Sequence, residues 1–225
     1  MKQKVIAIDG PAGAGKSTVA KRTAERLGFV YIDTGAMYRA VTCRVLAEAI
    51  ALSDHSAITA LAGRISVRFC RDESNLRVLA DGQDVTEAIR TPEVTAAVPS
   101  VSQVPAVRQA MVRLQQEMAA AGCVVLDGRD IGSVVVPDAC AKIFLTASVA
   151  ERARRRWQEM NDKGYVQELS ALQQEIEQRD RQDQERELAP LIQATDAELL
   201  DTTGMTIEAV VDEIVKIYQA RCSDV

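Results

Sequence analysis

The run Gly10-Pro11-Ala12-Gly13-Ala14-Gly15-Lys16-Ser17 fits G-x-x-x-x-G-K-[ST], the pattern of a loop that cradles phosphates. Its flanks constrain the fold. Val5-Ile6-Ala7-Ile8 predicts a short buried strand. Lys16 to Leu27 predicts a helix with Val19, Ala20, Ala24 and Leu27 on one face and Gly28 as its stop. In a strand, glycine loop and helix taken together, successive N–H groups turn inward and the helix N-terminus adds partial positive charge, so an anion fills the hollow. The alternative is an ordinary strand-to-helix turn. Average composition gives the bare pattern about a 1% chance in a chain of this length, and the flanks lower it further. A triphosphate such as ATP is therefore expected on residues Gly10 to Ser17 and the adjoining Thr18. Lys16 would reach the β- and γ-phosphates, and the Ser17 hydroxyl would sit on Mg²⁺.

With 225 residues the chain fits one α/β domain spanning 1–225. A net charge of −5 argues against a nucleic-acid partner, so local basic clusters stand out against the overall sign. No apolar run reaches membrane-spanning length and no secretory segment precedes the first strand, so a cytoplasmic protein without membrane contact is expected. The five cysteines (Cys43, Cys70, Cys123, Cys140, Cys222) form no C-x-x-C pair and are expected to be reduced apolar fillers. The one histidine, His55, falls in a loop-like setting, which leaves histidine-based hydrolysis and zinc binding little to stand on.

Further along, residues 29–32 predict a second buried strand, 36–52 a helix and 58–63 a short helix. Then the texture changes. Residues 65–70 alternate apolar and polar, and 76–80 form another strand between the turn residues Asp72 to Asn75 and Asp81-Gly82. This β-meander interrupts an alternating α/β pattern and reads as a small excursion. Thr91-Pro92-Glu93 opens a helical stretch that Pro99 and Pro105 break or restart. A helix over 106–121 follows, with Val107, Met111, Leu114 and Met118 on one face. Strands are expected at 123–126, 143–145 and 199–201, and a last helix at 207–220. Ser148 to Glu151 is a capping-box sequence opening a charged helix. A break at Gly164-Tyr165 separates that helix from a second one running to Arg181. The fold class is thus α/β: a five-stranded parallel sheet with helices on both faces, a small β-containing insertion near 60–100, and a helical lid near 150–188. Ligands gather at the carboxyl ends of such strands.

The polar runs sit there. Asp127 ends a hydrophobic strand, where a carboxylate can orient Mg²⁺ through water; Asp33 could share that task or cap the next helix. Phosphoryl transfer needs positive charge around the migrating group, and Arg39, Arg129, Arg179 and Arg186 lie beside loops that could supply it. Arg152, Arg154, Arg155 and Arg156 form a dense cluster. By default it is a solvated helix face, but a mobile hairpin carrying it would close over phosphates and exclude water.

Taken together, the motifs resemble bacterial cytidylate kinases, nucleoside monophosphate kinases of the P-loop class. The stretches are Ile8 to Thr18, Asp33-Thr34-Gly35-Ala36-Met37-Tyr38-Arg39, Asp84 to Arg90, Asp127-Gly128-Arg129-Asp130-Ile131-Gly132, Lys142 to Leu145, and Arg179-Asp180 through Arg186 with Ala189-Pro190-Leu191. The resemblance implies transfer from ATP, with Mg²⁺, to CMP and dCMP, by a monomer that needs no protein partner. It places Thr34, Tyr38, Arg39 and Arg129 around the acceptor phosphate, and Arg108 and Asp130 on the cytosine. Arg179, Asp183 and Arg186 fall on the lid side, with Asp183 accepting ribose hydroxyls. Lys16, Arg39, Arg129, Arg179 and Arg186 are the catalytic set it implies. A carboxylate and an arginine suit cytosine, which offers an N4 donor beside N3 and O2 acceptors. The family's base-touching serine falls, by spacing, on Pro99, with Ser100 next to it. Rival acceptors are UMP and AMP. A nucleotide switch protein is the rival from another class, and the chain has no Asn-Lys-x-Asp-type guanine motif.

Overall fold

The computed structural model describes residues 3–72, 75–162, 164 and 167–222. Its central strand is β1 (Gln3–Asp9), whose Val5, Ile6, Ala7 and Ile8 are fully buried. It pairs in parallel with β6 (Val124–Gly128) on one side and β7 (Ala139–Thr146) on the other. The outer strands are β2 (Val30–Asp33) and β8 (Glu198–Asp201), giving the order β2-β6-β1-β7-β8. Side chains alternate across a strand, so the register sorts them by parity. Ile6, Ile8, Val125, Ala141, Ile143 and Leu145 form one core face with α1 (Lys16–Leu27) and α8 (Ile207–Cys222). Val5, Ala7, Val124 and Leu126, of opposite parity, are also buried, and a π-type helical turn over Ile131–Val135 packs on that side. The sheet thus has helices on both faces, as its near-continuous apolar strands require.

The chain divides into two compact units, residues 1–32 with 119–225, and 33–118. The first holds the parallel sheet and a helical hairpin of α6 (Val149–Asp162) and α7 (Leu169–Gln184), packed through Ala153, Leu172 and Ile176. Of the expected break between these helices, Gly164 has φ +80° and Tyr165 lies outside the described residues. The second unit contains α2 (Thr34–Ala47), α3 (His55–Ala62), α4 (Pro92–Ser102), and α5 (Pro105–Ala119), whose last residue falls in the first unit. It also holds an antiparallel sheet of β3 (Val67–Asp72), β4 (Asn75–Ala80) and β5 (Gln83–Asp84). Two residues of the turn expected between β3 and β4, 73 and 74, lie outside the described residues.

Several expectations need correcting. Helix α2 begins at Thr34 because the Asp33 carboxylate accepts from Ala36 N–H at 2.9 Å, and it ends at Ala47, short of Leu52. His55 is not in a loop: Asp54 caps Ala57 N–H and makes His55 the first residue of α3. Pro99 does not break its helix. Thr91 caps α4, and burial of Val94, Ala97 and Val101 offsets a proline penalty of about 3 kcal/mol. On α5 the buried line is Val107, Arg108, Met111 and Gln115, with Leu114 only partly covered. Two polar residues on the inner face hid it from a hydrophobicity pattern. Cys140 and Cys222 are paired as a disulfide, Cα atoms 5.8 Å apart, against the expectation of reduced thiols. They stand 82 residues apart in sequence and meet because α8 packs on β7.

Gly10 leaves β1 with φ +150°, and a Cβ there would collide with the Leu145 backbone carbonyl. Leu145 cannot retreat, since β7 is paired on both sides. Gly10→Ala is therefore expected to lower unfolding free energy by about 3 kcal/mol or more, read from urea melts. A midpoint like wild type would contradict the packing described.

Candidate active site

The glycine run leaves β1 and enters α1 at Lys16, with Gly15 at φ +85° as the residue before the helix. Lys16 is buried, and its Nζ donates to the Pro11 carbonyl at 2.7 Å. Burial pushes its pKa well below the usual lysine value and Arg129 adds to the fall, while Asp127, Asp9 and Asp183 pull it back. The next residue, Ser17, donates from Oγ to Asp127 Oδ2 at 2.9 Å, and Tyr31 Oη donates to Oδ1 at 2.8 Å. Strand parity explains the meeting: Asp127 is in register with Ile8, on the sheet face that α1 covers.

Asp9 ends β1, one residue after Ile8 and so with the opposite parity. Its carboxylate accepts N–H bonds from Ile131 and Gly132, both 2.8 Å, and so anchors the turn that follows Arg129 and Asp130. A Cβ on Gly132 would lie 3.1 Å from the Lys142 stem and 3.4 Å from Asp9 Oδ2, so the turn seats closely only with glycine there. Lys142 itself reaches Asp196 at 2.9 Å. Asp9 is a functional residue that side-chain pattern alone does not mark. The available signal is no more than a single acid closing an otherwise apolar strand.

Asp183, buried on α7, gathers two arginines. Arg129 Nε donates to its Oδ2 at 2.7 Å and Arg186 Nη2 to its Oδ1. Burial alone would raise its pKa, but Arg129 and Arg186, with Arg179 behind them, hold it below the usual carboxylate value. Of the arginine cluster on α6, Arg152 is only 4% exposed and donates to the Ala12 and Ala147 carbonyls. Arg155 binds Thr202 and Glu151, and Arg154 binds Glu151. Glu151 is thus taken by arginines, and only the Ser148 half of the capping box forms, through Glu151 N–H at 3.2 Å. Arg154 and Arg155 thus form helix-face pairs with Glu151, as the default reading has it, while Arg152 is buried on protein partners.

The smaller unit carries Thr34, Tyr38, Arg39 and Arg108. Thr34 and Arg108 are buried, and the Arg108 guanidinium lies 5.8 Å from the centroid of the Tyr38 ring. Arg39 folds back one turn, its Nη1 3.4 Å from where a Gly35 Cβ would stand, near the Asp33 carboxylate. The position expected for the base-touching serine, Pro99, lies inside α4, and its carbonyl accepts from Ser102 Oγ at 3.2 Å. Thus Gly10 to Thr18, Asp127, Arg129, Asp130, Arg179, Asp183 and Arg186 belong to one unit, and Asp33, Thr34, Tyr38, Arg39 and Arg108 to the other.

The described residues hold no group of three or more His, Cys, Asp or Glu able to bind a metal ion, and no helix long and apolar enough to cross a membrane. A hydroxyl beside one carboxylate is, however, the oxygen set with which Mg²⁺ joins a nucleotide: one or two protein oxygens, the rest from phosphates and water.

Residues 6–220 match the family model described as cytidylate kinase. The chain is 54% identical over 211 residues to a cytidylate kinase of Pelotomaculum thermopropionicum, covering 93% of each chain. It is 51% identical over 216 residues to one of Enterococcus faecalis, covering 96% of each. Among solved structures, an uncharacterized protein from Eubacterium ventriosum superposes with a TM-score of 0.54 at 12% identity, over 97% of this chain and 100% of that one. A gluconokinase from Sinorhizobium meliloti does so at 0.50 and 17% identity, over 99% and 95%. These two bear on the fold alone.

Burial moves the Asp9 pKa from the ordinary 3.8 to about 6, against its two backbone hydrogen bonds. The folded protein thus takes up this proton before the unfolded chain does. The stabilisation from Asp9 protonation is complete below about pH 4 and is lost as the pH rises through about 6. Relative to Asp9→Asn, wild-type unfolding free energy should fall by about 2 kcal/mol between pH 4 and 7, measured by urea melts across that range. Parallel pH curves would refute it.

Proposed function

Because the chain belongs to the cytidylate kinase family, we propose that its candidate site works as a nucleoside monophosphate kinase: ATP and CMP, or dCMP, give ADP and CDP or dCDP. The family match over residues 6–220 carries this reading, and the Lys16, Ser17 and Asp127 arrangement agrees with it. An oxygen of the CMP phosphate forms the new bond to the γ-phosphorus as the bond to the β,γ-bridging oxygen breaks. The attacking CMP phosphate oxygen is already anionic near neutral pH, so no histidine base is needed.

The chain's task is to position the reactants and to meet the charge on the migrating group. The loop N–H groups of Gly10 to Thr18 hold the donor phosphates, and Lys16 exchanges the Pro11 carbonyl for phosphate oxygens. The added negative charge favours its protonated form. Ser17 and Asp127 would hold Mg²⁺, which supplies charge neutralisation on the phosphates. Asp33 is the weaker ligand, since one of its oxygens caps α2. Arg129, Arg179 and Arg186 serve the transferring group, with Asp183 orienting two of them. Its carboxylate is engaged by those arginines in this structure, so binding ribose would require one of them to turn to phosphate. The family resemblance assigns the acceptor phosphate to Thr34, Tyr38 and Arg39, and the cytosine to Arg108 and Asp130. The smaller unit's β3–β5 segment is the monophosphate-binding insertion, and α6 with α7 the lid. The enzyme acts as a cytoplasmic monomer on small molecules.

Two measurements check this. In an acceptor panel with ATP and Mg²⁺, CMP and dCMP should be phosphorylated faster than UMP or AMP; faster turnover of AMP would refute the acceptor assignment. Multiple turnover without any protein partner also excludes a switch. Lys16→Ala should lower kcat at least about 100-fold with an unchanged circular dichroism spectrum. Wild-type turnover in that variant would overturn the site.

A further inference from the structure

A loop that turns its N–H groups toward phosphate must turn carbonyls away from it, and those carbonyls need partners. The Ala12 carbonyl finds one in Arg152 Nη1 at 2.9 Å. The same guanidinium donates from Nε to the Ala147 carbonyl at 2.9 Å and pairs through Nη2 with Asp180 Oδ2 at 2.6 Å. It therefore ties the outer side of the loop, the end of β7 and the middle of α7. Behind it the packing is close: the Arg152 Cβ lies 3.3 Å, and Ile176 Cδ1 3.7 Å, from where a Gly13 Cβ would stand. Asp180 is one residue from Arg179 and three from Asp183, which holds Arg129 and Arg186.

We propose that Arg152 is a positioning residue for phosphoryl transfer: clamped to Asp180, it sets the spacing between the phosphate loop and the arginines gathered by α7, and so governs turnover without touching substrate. Its fork is committed to two backbone carbonyls and one carboxylate, which leaves it on the outside of the loop. Only a planar guanidinium reaches three directions at once; a lysine ammonium keeps the charge and loses the fork. Asp180 meets Arg152 through Oδ2 at 2.6 Å, one residue from Arg179 on the same helix. Spacing matters because a misplacement of about 1 Å can cost roughly 100-fold in rate.

The inference rests on the kinase reading above, and the two fail differently. If the kinase reading is wrong, the wild-type protein does not phosphorylate CMP; if only this inference is wrong, wild type turns over and the variants depart from the pattern given below. Steady-state kinetics are measured for Arg152→Lys, Asp180→Asn and the double variant, well below each melting temperature. We expect kcat to fall about 10-fold or more in each single variant, with KM for CMP within about threefold. The double variant should be no slower than the slower single, because both substitutions break one coupled unit. A fall in kcat of less than about threefold in a folded variant, a loss carried by KM for CMP, or losses that multiply in the double variant would each overturn it. Asp180→Asn preserves side-chain shape, so it decides the matter by itself if Arg152→Lys does not fold.

Discussion

The structure depends on how a cationic phosphate loop is kept stable inside a core. Lys16 and Arg152 are both buried beside the loop, and each is committed to one of the loop's own carbonyls, at Pro11 and Ala12. Buried charges on this scale persist only when paired and hydrogen-bonded. Carboxylates supply the balance. Asp127 stands by Ser17, Asp183 holds two arginines, Asp180 pairs with Arg152, and Asp9 fixes the turn behind Arg129 and Asp130. Remove any of them and a buried group loses its partner, which costs more than the pair itself contributes.

Strand parity distributes these groups. β1 and β6 are in register, so Asp127 at the end of one and Asp9 at the end of the other fall on opposite faces of the sheet. One meets the helix that carries Lys16 and Ser17; the other meets the turn that carries the arginine loop. A one-residue slip between β1 and β6 would exchange the two faces and dismantle both arrangements. The apolar alternation that builds the core therefore also sorts the charges.

Much of this was legible in the residues. The loop, its strand and its helix follow from glycine spacing and apolar runs, and Asp127 stood out as an acid at the end of a hydrophobic strand. The five strands of the parallel sheet were all anticipated, although β7 starts four residues earlier than the apolar run that announced it. What escaped were contacts between residues distant in sequence. Arg152 looks like one of four arginines on a solvated helix until the fold places it against Ala12, 140 residues away. Gln115 and Arg108 disguised the buried line of α5. Asp9 gives no signal of its task, because its partners are backbone groups that carry no signature in side-chain type. The Cys140–Cys222 pair is of the same kind: a juxtaposition created by packing.

The pairing of Asp183 with Arg129 and Arg186 sets a threshold for any anion that would bind them. Because a carboxylate already occupies both guanidinium groups, an arriving anion must compete with it. A halide or a simple carboxylate brings one charge and has no advantage over the resident, which is tethered and therefore at high effective concentration. A phosphate dianion brings more charge and several acceptor oxygens in a geometry that matches the guanidinium fork. An anion of low charge is thereby disfavoured at these two arginines relative to a phosphate dianion.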